Sequence, residues 1–189
     1  MMTNLWRSLR FTIVFAILLG LIYPLVVTGI SNVLFPFQAK GSMVQSNGRI
    51  VGSELIAQSV TDPRLFWYRP SAVNYAANGS GGSNLGPTNP ALIKEVQGNI
   101  KSAGVAPGTP IDSIPPDMVE SSASGLDPDI SIQDAMLQIP RISKATGLSQ
   151  SSLQALVKQN EQGPSLGIWG TSMVNVMNLN LALEKQMGR

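Results

Sequence analysis

Two segments of this 189-residue chain gather glycines and small polar side chains at spacings that let a backbone fold around a ligand. The first runs from Asn74 to Pro90 and holds Ser80, Gly81, Gly82, Ser83, Asn84, Gly86 and Asn89. The second runs from Glu120 to Ser131 and holds Ser122, Ser124, Gly125, Asp127 and Asp129. Such loops turn backbone N–H groups toward a phosphate, or carbonyls and carboxylates toward a cation. No Gly-Lys-Ser/Thr follows the first, so it is not a Walker A loop. By pattern alone both read as ordered surface loops closed by Asx and Ser turns. Leu85, Pro87, Leu126 and Pro128 at their corners mark them as loops that pack on something.

The remaining composition narrows the chemistry. The chain has no Cys and no His, which removes a thiol nucleophile, serine–histidine chemistry and zinc sites. Its carboxylates are not spaced as a catalytic pair, and no metal site is expected. Arg7 and Arg10 aside, eleven basic residues balance eleven acidic ones, so no broad basic surface for nucleic acid is implied.

These loops must be positioned by the elements around them. No charged side chain falls between Arg10 and Lys40, a stretch long enough to cross the bilayer core as a helix, which takes about 20 residues. A cleaved signal peptide is the competing reading, but its apolar region would be shorter and followed by a small-x-small site. The expected organisation is a cytoplasmic N-terminus and single transmembrane helix over 1–37, then one mixed α/β (α+β) soluble domain over 38–189. Arg7 and Arg10 precede the span, so the domain is expected outside the cytoplasm, at the plasma (inner) membrane. Pro24 removes one backbone donor mid-span, and a kink there is tolerable if a neighbouring helix or a Ser/Thr such as Thr28 re-satisfies the freed carbonyl. Gly20 and Gly29 offer close approach to a partner helix.

Within the domain, residues 41–51 read as a hairpin about Asn47-Gly48, and Ser53 to Val60 as a short helix. Pro63 to Pro70 reads as extended. Asn89-Pro90 starts a helix through about Ala103, with Leu92, Ile93, Val96 and Ile100 on one face and Gly104 as its stop. Residues 105–116 read as a proline-rich loop. Ser131 caps a helix with Asp134 three residues on, and Pro140 breaks or kinks it. Ser149 starts a further helix that buries Leu153, Leu156 and Val157. Met173 to Met177 reads as a strand, and Asn178 begins the last helix. The stretch from Pro140 to Val157 also scans as helix-turn-helix, with Gly147 in the turn and Arg141, Lys144 and Lys158 close by. A membrane-anchored DNA-binding regulator is therefore an alternative class, opposed by the expected topology.

Several motifs in order carry a resemblance over nearly the whole length. They are Gly52-Ser-Glu-Leu-Ile-Ala-Gln58, Arg69-Pro-Ser-Ala72, Ser80-Gly-Gly-Ser-Asn-Leu-Gly-Pro-Thr-Asn-Pro90 and Ser122-Ala-Ser-Gly-Leu-Asp-Pro128, then Gln138-Ile-Pro-Arg141, Val174-Asn-Val176 and Leu179-Asn-Leu-Ala-Leu183. With one N-terminal span ahead of them, the chain resembles the C subunit of Kdp-type potassium-transporting P-type ATPases. The resemblance implies a non-catalytic subunit beside a channel-like potassium-binding subunit and a P-type ATPase subunit. Potassium would be the transported ion, and ATP would act through the complex, with no cofactor held by this chain. It implies a role in assembly, with the domain over the potassium entrance, and alternatively a catalytic chaperone that binds nucleotide and raises ATP affinity. An outward domain cannot touch cytoplasmic ATP, so the two implications conflict. The sequence also departs from the family pattern, with Asp129 where His is common, Glu120 where Thr is usual, Thr146 where Arg is usual, and Thr171-Ser172-Met173 in place of a Glu-Pro-Arg-like stretch. Asp129 adds a negative group that draws in cations or caps the helix at Ser131.

Overall fold

A computed structural model describes residues 2–46 and 48–188. The chain divides into two compact units, Met1–Met43 and Val44–Arg189. The first is helical: α1 (Met2–Ile17), a π-helical segment (Leu18–Ile22), α2 (Tyr23–Leu34) and α3 (Pro36–Ala39). Met2–Leu34 is continuous, 33 residues long and, by length and composition, able to cross a membrane. Pro24 lies two residues beyond the π segment. Proline has no N–H and its ring crowds the carbonyl four residues back, here that of Gly20, and a π turn widens the ladder at that place. Gly20 sits inside the π segment.

The second unit builds an α+β fold. β1 (Met43–Ser46) pairs with β2 (Arg49–Ser53). The Asn47 half of the expected turn lies outside the described residues, while Gly48 takes φ +75°. A second sheet has the order β3-β5-β4, from Asp129–Ser131, Met173–Asn175 and Glu161–Gln162. It is antiparallel throughout, with Ile130 opposite Val174 and Glu161 also opposite Val174. Helices α4 (Pro90–Ser102), α5 (Pro116–Val119), α6 (Ile132–Thr146), α7 (Gln150–Gln159) and α8 (Val176–Gln186) complete it, with a 3₁₀ turn at Ile111–Ser113 inside the proline-rich loop.

Local chemistry accounts for most helix ends. Asn89, Ser131 and Ser149 each accept a backbone N–H from Ala91, Asp134 and Ser152, respectively, satisfying donors a helix start leaves open. Gly147 ends α6 at φ +79°, a left-handed cap. On α6 the buried set Ala135, Gln138, Ile139 and Ile142 follows helical spacing, as does Val176, Leu179, Asn180 and Leu183 on α8. The apolar members of both sets form the core together with Leu153, Leu156, Val157, Ile130, Val174 and Phe66. Burying each large apolar side chain contributes about 1.5–3 kcal/mol.

Three expectations are corrected. Ser53–Val60 is no helix: it is a turn followed by extended chain. Ser53 Oγ accepts the Leu55 N–H at 3.1 Å, and the Ala57 N–H donates to Leu126 O at 2.9 Å, so these donors pair away from a helical ladder. Pro140 does not break α6, which runs through it to Thr146. Asn175 rather than Asn178 caps the last helix, accepting the Asn178 N–H at 3.2 Å, so the strand ends two residues early. Helix α4 forms as expected, with Leu92, Val96 and Ile100 half-buried and Ile93 50% exposed.

Candidate functional site

The two glycine- and serine-rich loops meet. The Gly81 N–H donates to Ser124 O at 2.8 Å, and Ser80 Oγ donates to the same oxygen at 3.1 Å. Ser71 Oγ donates to Gly125 O at 2.7 Å and accepts the Tyr75 N–H at 2.9 Å. The Ser122 N–H donates to Pro70 O at 3.3 Å. Small residues are required for this seam. A Cβ on Gly125, which adopts φ +66°, would fall 2.5 Å from Val73 Cγ2 and 2.8 Å from Gly81 O. A Cβ on Gly82 would lie 3.0 Å from Ala123 O. The glycines permit close backbone approach.

That arrangement bears directly on phosphate binding. The Gly81, Ser122 and Gly125 N–H groups donate to Ser124, Pro70 and Ser122 carbonyls, and the Leu126 N–H to Ser124 Oγ. A phosphate at these four N–H groups would have to displace these bonds. Ser83 is half-buried next to the seam. Asn84, at φ +53°, and Gly86 are exposed, and the Gly86 carbonyl accepts the Asn89 N–H at 2.9 Å. Asn89 starts α4, so this end of the loop serves the helix rather than the seam.

The two acids differ in their surroundings. Arg69 Nη1 donates to Asp127 Oδ2 at 3.1 Å, and Asp127 Oδ1 accepts the Asp129 N–H. Asp127 is therefore an ion-paired corner. Asp129 instead accepts from Asn175 Nδ2 at 3.2 Å on the neighbouring strand. Burial raises its pKa, the Asn175 bond opposes that, and Asp127 raises it further. With Glu54, Gln162, Asn175 and Asn178 it lines an open cavity of about 220 Å³. Asp129 does not cap α6, since Ser131 does so. A separate cavity of about 350 Å³ lies between α4 and the aromatic segment, lined by Trp67, Tyr68, Tyr75, Asn99 and Met118 among others. Burial raises the Tyr68 hydroxyl pKa to about 12, with Asp129 adding to it.

Sequence reasoning missed the polar side chains inside the core. Gln138 accepts the Trp67 N–H at 2.7 Å and donates to Trp67 O at 3.0 Å. Asn180 does the same for Phe66. The signal was a lone amide on each apolar helix stripe. Gln138 Nε2 also donates to Asp134 at 2.8 Å, and burial raises the Asp134 pKa to about 7. Arg141 lies with its guanidinium carbon 3.7 Å from the Trp67 ring centroid. It donates to Pro63 O at 2.7 Å, Leu65 O at 3.0 Å and Gln138 Oε1 at 2.6 Å, and burial lowers its pKa to about 10. A guanidinium so engaged is not presented to a phosphate backbone, and Leu153, Leu156 and Val157 are buried. The helix-turn-helix reading of residues 140–157 loses its central cation.

Comparison with known proteins agrees with these motifs. The family described as "K+-transporting ATPase, c chain" matches residues 5–185. The chain is 49% identical over 182 residues to the potassium-transporting ATPase KdpC subunit of Caldanaerobacter subterraneus subsp. tengcongensis, covering 96% of this chain and 94% of the relative. It is 47% identical over 193 residues to that of Geobacter sulfurreducens, covering 98% and 100%. With that of Clostridium kluyveri it shares 45% over 191 residues, covering 94% and 91%.

Proposed function

The chain belongs to the K+-transporting ATPase c chain family, and from that membership we propose a membrane-anchored accessory subunit that performs no catalysis itself. It stabilises assembly of a channel-like potassium-binding subunit with a P-type ATPase subunit, and it shapes potassium entry. The observation that carries this reading is the family match across residues 5–185, which spans both the apolar helix and the folded unit. Arg7 and Arg10 ahead of the span favour an N-terminus in the cytoplasm and residues 38–189 outside it. In this reading the loop seam is a structural clasp, and Asp129 with Glu54 supplies negative potential at the ion's approach. The Gly81 and Gly125 N–H groups are already bonded within the seam, which favours the clasp over a nucleotide-chaperone role at those two positions.

Two measurements test it. An alkaline-phosphatase fusion to the C-terminus is expected to be active and a green fluorescent fusion dark; the reverse pattern rejects the topology. In the assembled pump, Asp129→Asn is expected to raise the apparent potassium constant at low salt. The effect should shrink at high salt, because exposed charges are screened over about 8 Å at physiological ionic strength. A shift confined to the ATP constant would overturn the entrance role in favour of nucleotide action.

A further inference from the structure

The cavity of about 350 Å³ between α4 and the aromatic segment has one fixed wall and one adjustable wall. Trp67 and Tyr75 belong to the fixed wall. The Trp67 backbone is held by Gln138, its indole N–H donates to Asp62 O at 3.0 Å, and the Arg141 guanidinium lies over its ring. The Tyr75 hydroxyl donates to Arg69 O at 2.9 Å. Tyr68 lines the same cavity and is only 8% exposed, yet its hydroxyl has no hydrogen-bond partner among the described residues. Burial, and then Asp129 and Tyr75, keep that hydroxyl protonated, so it is a donor left open. Across the cavity α4 contributes no fully buried side chain. Its Asn99 spends Nδ2 on Val119 O at 2.8 Å, which leaves Oδ1 as an acceptor.

We propose that this cavity binds a small uncharged ring compound that accepts a hydrogen bond from Tyr68 and donates one to Asn99. The inference stands apart from the complex-subunit reading above. Size fits: a cavity of about 150 Å³ holds one benzene, and small-molecule sites begin at about 300 Å³. Charge selects the class. None of the described side chains lining the cavity is charged, so an ion entering it would lose hydration without gaining a counter-charge. Aromatic walls otherwise suit a cation. Trp67, however, already carries the Arg141 guanidinium 3.7 Å from its ring centroid, and a second cation on that ring would meet a like charge. A neutral ring with both polar functions satisfies the open hydroxyl and the open amide oxygen, as buried polar groups require. Walls already held in place lose little freedom when it enters.

The test uses the full-length chain in phosphatidylcholine nanodiscs, with empty nanodiscs as the blank. Benzamide is the probe, and benzoate and the benzamidinium ion are its anionic and cationic counterparts of the same shape. Saturation-transfer NMR is expected to give saturable binding of benzamide, with both ions weaker by about tenfold or more. Tyr68→Phe removes only the donor and should weaken benzamide about three- to tenfold, the scale of one hydrogen bond. Tyr68 also borders a second cavity of about 160 Å³, whereas Ala103 borders only the larger of the two. Ala103→Leu, which fills the larger cavity, should therefore abolish binding, with circular dichroism checking that each variant folds. The ligand series and Tyr68→Phe decide the matter even where Ala103→Leu does not fold. No saturable binding of benzamide, equal binding of either ion, or unchanged binding in either folded variant overturns the proposal.

Discussion

Asn180 Oδ1 accepts the Phe66 N–H at 2.7 Å while its Nδ2 donates to Phe66 O at 2.9 Å, so one side chain of α8 serves residue 66 as a neighbouring strand would. Gln138 of α6 does the same for Trp67. Residues 66 and 67 belong to no sheet. Their buried polar groups need partners from elsewhere, and the two amides supply them. That is how Phe66 reaches 0% exposure in an irregular segment.

Asn180→Leu keeps the branching at Cγ, though the side chain is larger, and leaves both Phe66 groups unpaired. A loss of about 2–4 kcal/mol is expected from two stranded backbone groups. Urea unfolding of the detergent-solubilised chain, followed by tryptophan fluorescence, measures it. Stability equal to wild type would show that water replaces the amide without loss.

Gly125→Ala and Gly147→Ala separate conformational strain from steric conflict. Both glycines have positive φ, but a Cβ at Gly147 meets nothing within 4 Å. Gly147→Ala should cost only the left-handed penalty of about 1–2 kcal/mol. Gly125→Ala should cost more, because Val73 and the Gly81 carbonyl must also move. Equal unfolding midpoints for the two variants would mean the seam is loose.

Asp134 makes stability depend on pH. Its folded pKa of about 7 lies above the ordinary carboxylate value of 3.8 because of burial. Between these values the folded state holds the extra proton, so the contribution is fully present below about pH 4 and is lost as pH rises through 7. Asp134→Asn keeps an acceptor for Gln138 and has no charge to desolvate. The variant should flatten the thermal midpoint across this window and stand above wild type at pH 8. A wild-type midpoint that rises steadily from pH 4 to 7 with an identical variant curve would contradict the assignment.

The apolar helix gives an assembly prediction. A Cβ on Gly20 or Gly29 meets nothing within 4 Å in this chain, so each leaves a notch that a partner helix can enter. Gly20→Leu or Gly29→Leu should reduce co-purification of the potassium-binding subunit while leaving the folded unit intact. Full recovery from both variants would place the two glycines against lipid.

The features legible in the sequence are those decided within a few residues. The apolar run is composition within one segment, and the caps at Asn89, Ser131 and Ser149 each depend on a side chain reaching a backbone N–H two or three positions away. The Asn74–Pro90 and Glu120–Ser131 loops stood out for the same reason, as composition is local. Tertiary structure decided the rest. Ser53–Val60 has helical spacing, yet its backbone pairs with Leu126. Asn175 displaced Asn178 as the last cap because β5 ends where its pairing with Asp129 ends. That Gly81 would meet Ser124, that Asp127 would be held by Arg69, and that Asn180 would serve Phe66 across 114 residues of sequence were all invisible along the chain. Such contacts form only once the core has brought distant segments together, because the burial that offsets their ordering entropy belongs to the whole fold.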